Sequence, residues 1–219
     1  MDPSQILNLV SLVINAAIAA FMIKSMIGFF TVGGRGNMKV KSYSAFKYFT
    51  VQSNLLMAAV SLLMLVFNVI ILINGGGEAP YWVIAVKHVG TVAVMLTFSV
   101  VMFIFVPATG LKFMIEGDSI YMHLISPLLA LIAFVFLDRG PALSYTGVLY
   151  GMLPTALYAV LYYYKVMARG PERGGWEDFY KFNASGKWLL MAVVVFLMTA
   201  ALGALLILGR NVFAAGLLA

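Results

Sequence analysis

Six stretches of this chain are each long and apolar enough to cross a lipid bilayer. A spanning helix needs about 20 mostly apolar residues, and residues 6–30, 46–73, 81–106, 119–136, 143–164 and 188–208 meet that requirement. The connections carry turn chemistry: Gly33-Gly34-Arg35-Gly36, Gly75-Gly76-Gly77, residues 107–118, Asp138-Arg139-Gly140-Pro141 and residues 169–186. None is long enough to fold alone, so the sequence predicts an all-α polytopic bundle of about six transmembrane helices, one domain over residues 1–219.

Composition agrees. Of 219 residues, 63% are hydrophobic and 10% are charged, against about 25% charged in soluble domains. Eight acids and fourteen bases cannot make the charged shell a soluble domain of this length needs. The absence of cysteine excludes disulfides, thiolate metal sites and Cys nucleophiles. Two histidines, His88 and His123, are too little for a His-based zinc centre, and no cofactor is expected. The glycine-rich turns lack the strand-before, helix-after context and the lysine-serine ending of a phosphate loop, and read as flexible turns.

The formal charge of +6 is a topology signal rather than a nucleic-acid signal, because the bases sit in loops beside apolar runs. The odd loops and their helix ends hold Arg35, Lys39, Lys41, Lys47, Lys112, Lys165, Arg169, Arg173, Lys181 and Lys187, and Lys24 can snorkel to the same face. Only Lys87, Arg139 and Arg210 fall on the other face. That asymmetry predicts odd loops in the cytoplasm and both termini outside. The first run has Asp2 before it and no basic segment, so it reads as a retained helix, not a cleaved signal. Lys87 and His88, near the outer end of the third span, read as interface anchors beside Tyr81 and Trp82. Gly147 and Gly151 read as a close-packing pair, and Pro154 as a kink. No internal or inverted repeat is visible, which weighs against a secondary transporter.

Polar groups inside a span cost free energy, so each needs a reason. The second span opens as FKYFTVQSNLL, with Thr50, Gln52, Ser53 and Asn54 where lipid favours apolar residues. Thr50, Ser53 and Asn54 share one helical face by i, i+3 and i+4 spacing. His123 lies four residues past Ser119, roughly 6 Å inside the fourth span at 1.5 Å per residue, and Thr50 lies four past Phe46. The two spans run in the same direction, so Thr50 and His123 meet at one level if the helices touch. A hydroxyl facing an imidazole in a poorly hydrated site is what a nucleophile and its general base require. Asn54 is placed to donate to a developing oxyanion, Ser53 to line the same cavity, and Lys47 to meet the carboxylate of an acyl chain. Structural readings stand beside these. The Thr50 and Ser53 hydroxyls can back-bond to carbonyls, Asn54 and His123 can tie helices together, and Lys47 can snorkel to lipid phosphates.

These segments resemble a known family: the androgen-induced-gene and androgen-dependent TFPI-regulating membrane proteins, threonine hydrolases of fatty acid esters of hydroxy fatty acids, with their bacterial relatives. KYFTVQSNLL is similar to the family's second-helix motif, whose catalytic threonine falls on Thr50 and whose asparagine-leucine ending falls on Asn54 and Leu55. MHLISPLL is similar to the motif in which the catalytic histidine precedes a proline by four, here His123 and Pro127. Pro154, Tyr158, Trp176 and Asp178-Phe179-Tyr180 resemble the bacterial branch. The resemblance implies a Thr50–His123 hydrolase of lipid esters, acting without a cofactor in a bacterial inner membrane. The loop at residues 107–118 departs from the animal members, so it implies a general acyl ester as substrate rather than a named compound. The alternative is a non-enzymatic lipid-binding or transport protein.

Overall fold

A computed structural model describes residues 3–31, 42–115, 117–183 and 186–217. Arg35, Lys39, Lys41 and the turn at residues 33–36 lie outside the described residues. Within the described residues the chain forms six helical rods and no strand. They are α1 (Pro3–Phe30), α2 (Phe49–Ile73), α3 (Tyr81–Ala108), α4 (Tyr121–Leu137), α5 (Gly147–Tyr162, continued by a wider turn over Tyr163–Arg169) and α6 (Trp188–Phe213). α1, α2, α3 and α6 are each long and apolar enough to span a membrane. α4 is apolar but shorter, and α5 has 16 residues before its 7-residue continuation. The expected six spans are therefore four full-length helices and two shorter ones.

α3 is the axis of the bundle. It packs on α2, α4, α5 and α6, while α1 lies against α2 and α4. Glycine permits the closest approach to α2, because a Cβ at Gly90 would stand 2.7 Å from Val60 Cγ2. On α5, a Cβ at Gly151 would come within 3.1 Å of His88 Nε2, so the expected small-residue pair does mark close packing.

α2 starts later than the sequence indicates. Ser42–Lys47 forms a separate 3-10 turn, Tyr48 is extended at φ −89 and ψ 132, and the α-helix opens at Phe49. Thr50 thus sits in the first turn of α2, not one turn inside it.

Two prolines shape the other helices. A proline lacks an N–H and its ring collides with the carbonyl four residues back, and both Pro107 and Pro127 follow a π turn, Val101–Phe105 and Tyr121–Ile125 respectively. The wider turn relieves the collision. In α4 its closing bond runs from Ser126 N to Tyr121 O, so the Met122 carbonyl faces the nitrogen of Pro127, which has no proton to give.

Lys87 and His88 are not interface anchors. Both are 0% exposed, because α3 is surrounded by other helices. Arg210 is buried too. Its guanidinium closes the end of α4, donating to Phe134 O at 2.8 Å, Asp138 O at 3.0 Å and Gly140 O at 2.8 Å, and it stands 5.2 Å from the Phe134 ring centre. The last carbonyls of a helix have no intrahelical donor, and a cation there also meets the negative end of the dipole. Of the three bases counted on that face, Arg139 is half-buried, while Lys87 and Arg210 are buried.

Arg210→Met should strip these carbonyls of their donor at once. The expected loss is on the order of 3 kcal/mol, read as a lower unfolding temperature in detergent with the helical signal retained before the transition.

Candidate functional site

The expected site residues gather where α2 and α4 begin. Asn54 carries the contact: its Nδ2 donates to Thr50 O at 2.9 Å and, across the helix boundary, to Met122 O at 3.1 Å. The acceptor is the carbonyl that Pro127 leaves without a backbone donor, so the proline and the asparagine are one device. Helices α2 and α4 therefore touch, and Asn54 stands level with the residue before His123. His123 is 4% exposed and sits inside the π turn, which packs on α1, α2 and α3. A cluster of Met22, Phe29, Ala45, Val51, Ala58 and Met122 keeps the neighbourhood apolar.

The other candidates fall as follows. Ser53 Oγ donates back to Thr50 O at 3.1 Å and lies 3.0 Å from Thr97 Oγ1, joining α2 to α3. One N–H of Asn54 thus bonds within α2 and the other reaches α4, while the Ser53 hydroxyl is shared between the α2 backbone and Thr97 of α3. The Asn54 amide is spent on carbonyls rather than aimed at an oxyanion. Gln52 turns away and donates to Phe46 O at 2.7 Å. The Lys47 ammonium lies 5.2 Å from the Tyr48 ring centre and 5.4 Å from that of Phe179, a cation over aromatic faces.

Thr50 meets a residue to which the sequence reading gave no role. Tyr180, 131 positions beyond Phe49, places its hydroxyl oxygen 3.0 Å from the Phe49 amide, which donates to it. The Thr50 amide and hydroxyl interact with the same oxygen. Tyr48, the residue preceding α2, makes no side-chain cap, so a distant phenol supplies what a local Ser or Asp ordinarily would. Burial pushes the Tyr180 phenol up to about 12, which keeps it neutral near pH 7. The Thr50 hydroxyl therefore faces a phenol within the described contacts, and Asn54 links the Thr50 carbonyl on α2 to the Met122 carbonyl beside His123 on α4.

Asp178 builds the loop that presents Tyr180. Its carboxylate accepts from Tyr162 Oη at 2.7 Å, Phe182 N at 2.9 Å and Asn183 N at 2.8 Å, while Tyr158 Oη donates to Lys47 O at 2.7 Å. Lys181 adopts φ 56 inside this loop, a left-handed conformation that non-glycine residues seldom take without surrounding constraint. The aromatic run 178–182 is visible in the sequence, but its target at the start of α2 is not.

A second polar cluster lies at the opposite end, where Lys87 and Asp138 meet Ser11, Asn15, Ser61 and Asn68. The sequence carried a signal for it that went unread: Asn8, Ser11 and Asn15 recur at helical spacing on one face of α1. No family model, curated protein or solved structure matches this chain.

The proline–asparagine device has a double-mutant signature. Asn54→Leu should cost about 1–2 kcal/mol by orphaning the Met122 carbonyl. In a Pro127→Ala background, where residue 127 regains an N–H five positions beyond Met122, the same change should cost clearly less. Thermal unfolding of the four variants in detergent measures the coupling.

Proposed function

We propose that this chain is an intramembrane hydrolase of fatty acyl esters, with Thr50 as nucleophile and His123 as general base. The observation that supports it best is the Asn54–Met122 hydrogen bond of 3.1 Å, which draws the start of α2 to the π turn that holds His123. Residues of the two motifs that resemble the threonine hydrolases are thereby neighbours in space. In this reading Thr50 Oγ1 attacks the acyl carbonyl while His123 accepts its proton. His123 then returns that proton to the departing alkoxide. Water, deprotonated by His123, then adds to the acyl carbonyl, and the bond to Thr50 Oγ1 breaks as His123 returns the proton to that oxygen and the fatty acid leaves.

The surroundings suit such a substrate. Acyl chains partition among apolar helices, and Lys47 lies at the helix end where a carboxylate headgroup would emerge. Tyr180 keeps the first turn of α2 in place, and its neutral phenol stands beside the attacking oxygen. The proposal includes a bacterial inner membrane and an orientation with this end in the cytoplasm, following the basic loops.

Two measurements test this. Purified protein should hydrolyse a long-chain acyl ester, with Thr50→Ala and His123→Ala each reducing turnover by about 100-fold or more and a fluorophosphonate probe modifying Thr50. Full turnover in both variants, or ligand binding without turnover in the parent protein, would remove the hydrolase reading. For orientation, the chain has no cysteine, so Arg173→Cys and Glu78→Cys each create a lone thiol at an exposed loop position. An impermeant maleimide should label the Glu78→Cys protein in intact cells and the Arg173→Cys protein only after permeabilisation; the reverse pattern inverts the topology.

A further inference from the structure

Hydrolysis by Thr50 and His123 leaves one chemical role unfilled. Attack on an acyl carbonyl puts negative charge on its oxygen, and a site poor in water must supply a donor for it. Asn54 is the wrong group, because its N–H groups are held by the carbonyls of Thr50 and Met122. The Ser53 hydroxyl is shared between Thr50 O and Thr97 Oγ1.

One hydroxyl beside Thr50 is placed differently. The Tyr180 oxygen accepts from the Phe49 amide at 3.0 Å, and the amide and hydroxyl of Thr50 meet the same atom. A phenol oxygen that accepts hydrogen bonds still has its own proton to give. Tyr158 adjoins it, but Tyr158 Oη spends its proton on Lys47 O at 2.7 Å and offers Tyr180 only lone pairs. Burial raises the affinity of the Tyr180 oxygen for its proton, so the group is a neutral donor near pH 7. In a tetrahedral intermediate the attacking oxygen and the former carbonyl oxygen are bonded to one carbon. A donor within reach of the Thr50 hydroxyl is therefore within reach of both.

The phenol is held in direction as well as in place. Its ring centre lies 5.6 Å from that of Tyr162 and 6.5 Å from that of Phe105, and its backbone N–H donates to Tyr162 Oη at 3.2 Å. Tyr162 in turn donates to Asp178 at 2.7 Å, and that carboxylate also takes the amides of Phe182 and Asn183. The donor is thus oriented before any substrate arrives, the condition under which it lowers a barrier.

We propose that Tyr180 is a third catalytic residue beside Thr50 and His123, its phenol O–H donating to the oxyanion of the acyl substrate, an assignment that rests on the hydrolase reading. As Thr50 Oγ1 bonds to the acyl carbon, its proton passes to His123 and the carbonyl electron pair moves onto oxygen. Tyr180 donates a hydrogen bond to that oxygen and keeps its proton. The pair then returns, the bond to the alkoxide breaks, and the proton on His123 goes to the alkoxide. Asp178 is a positioning residue that acts through Tyr162 and the loop bearing Tyr180.

The test uses the intact protein in detergent with a long-chain acyl ester and the matching trifluoromethyl ketone, which adds to a nucleophile and mimics the tetrahedral oxyanion. Tyr180→Phe should lower kcat by about 100-fold with KM little changed. It should weaken the ketone by a similar factor, while an unreactive ether analogue binds as before. Because Tyr180→Phe also removes the cap of α2, a ring-fluorinated tyrosine at position 180 separates the two roles: fluorine makes the phenol a stronger donor and a weaker acceptor. Donation to the oxyanion predicts tighter ketone binding, whereas a cap alone predicts no gain. Asp178→Asn should lower kcat in the parent protein and have little further effect in Tyr180→Phe. Full turnover in Tyr180→Phe beside an inactive Thr50→Ala, or a ketone affinity that fluorination does not raise, overturns the role of Tyr180 and leaves the hydrolase in place. Absence of turnover in the parent protein overturns both.

Discussion

Lipid offers no hydrogen bonds, so every polar group this chain carries into the bilayer must find its partner inside the bundle. That requirement organises the whole molecule. Asn8, Ser11, Asn15, Ser61, Asn68, Lys87, Asp138 and Arg210 are buried, and their bonds run between helices distant in sequence: Ser11 to Asp138 spans 127 residues and Arg210 to Phe134 spans 76. Apolar packing is non-directional and would allow the helices to slide on one another. The polar ties fix which face meets which.

Proline contributes in a way that depends on the same constraint. Pro127 removes a donor from the middle of α4 and widens the turn before it, and this exposes one carbonyl on the side of α2. In water that carbonyl would be hydrated at small cost. In the bundle it needs Asn54, and the resulting 3.1 Å bond holds α2 against α4 at the level where Thr50 and His123 were expected to meet. An irregularity in backbone geometry becomes a specific helix contact.

The two ends of the bundle differ in character. The end with Thr50 and His123 combines back-bonded hydroxyls, an aromatic layer and a loop anchored by Asp178. The far end is a charged and amide-rich cluster closed by Arg210. Between them lies an apolar layer of Ile18, Met57, Val60, Val94 and Ala130, so the two polar regions are separate sites.

The sequence by itself determined the all-helical membrane fold, most of the helix boundaries and the gathering of Thr50, Ser53 and Asn54 on one face, since apolar runs and i, i+4 spacing are local properties. It also set Pro127 four residues after His123. It left α2 starting one turn too early, because the Tyr180 hydroxyl that caps Phe49 arrives from 131 residues away. It placed Lys87 and His88 at an interface, because burial depends on how many helices surround α3 and no window of residues records that. Only the tertiary structure decided that α2 touches α4, that the Asn54 amide is spent on carbonyls, and that Lys87 and Asp138 share one cluster. These are pairings between distant helices, and a sequence pattern shows which face of a helix is polar without showing which other face will meet it.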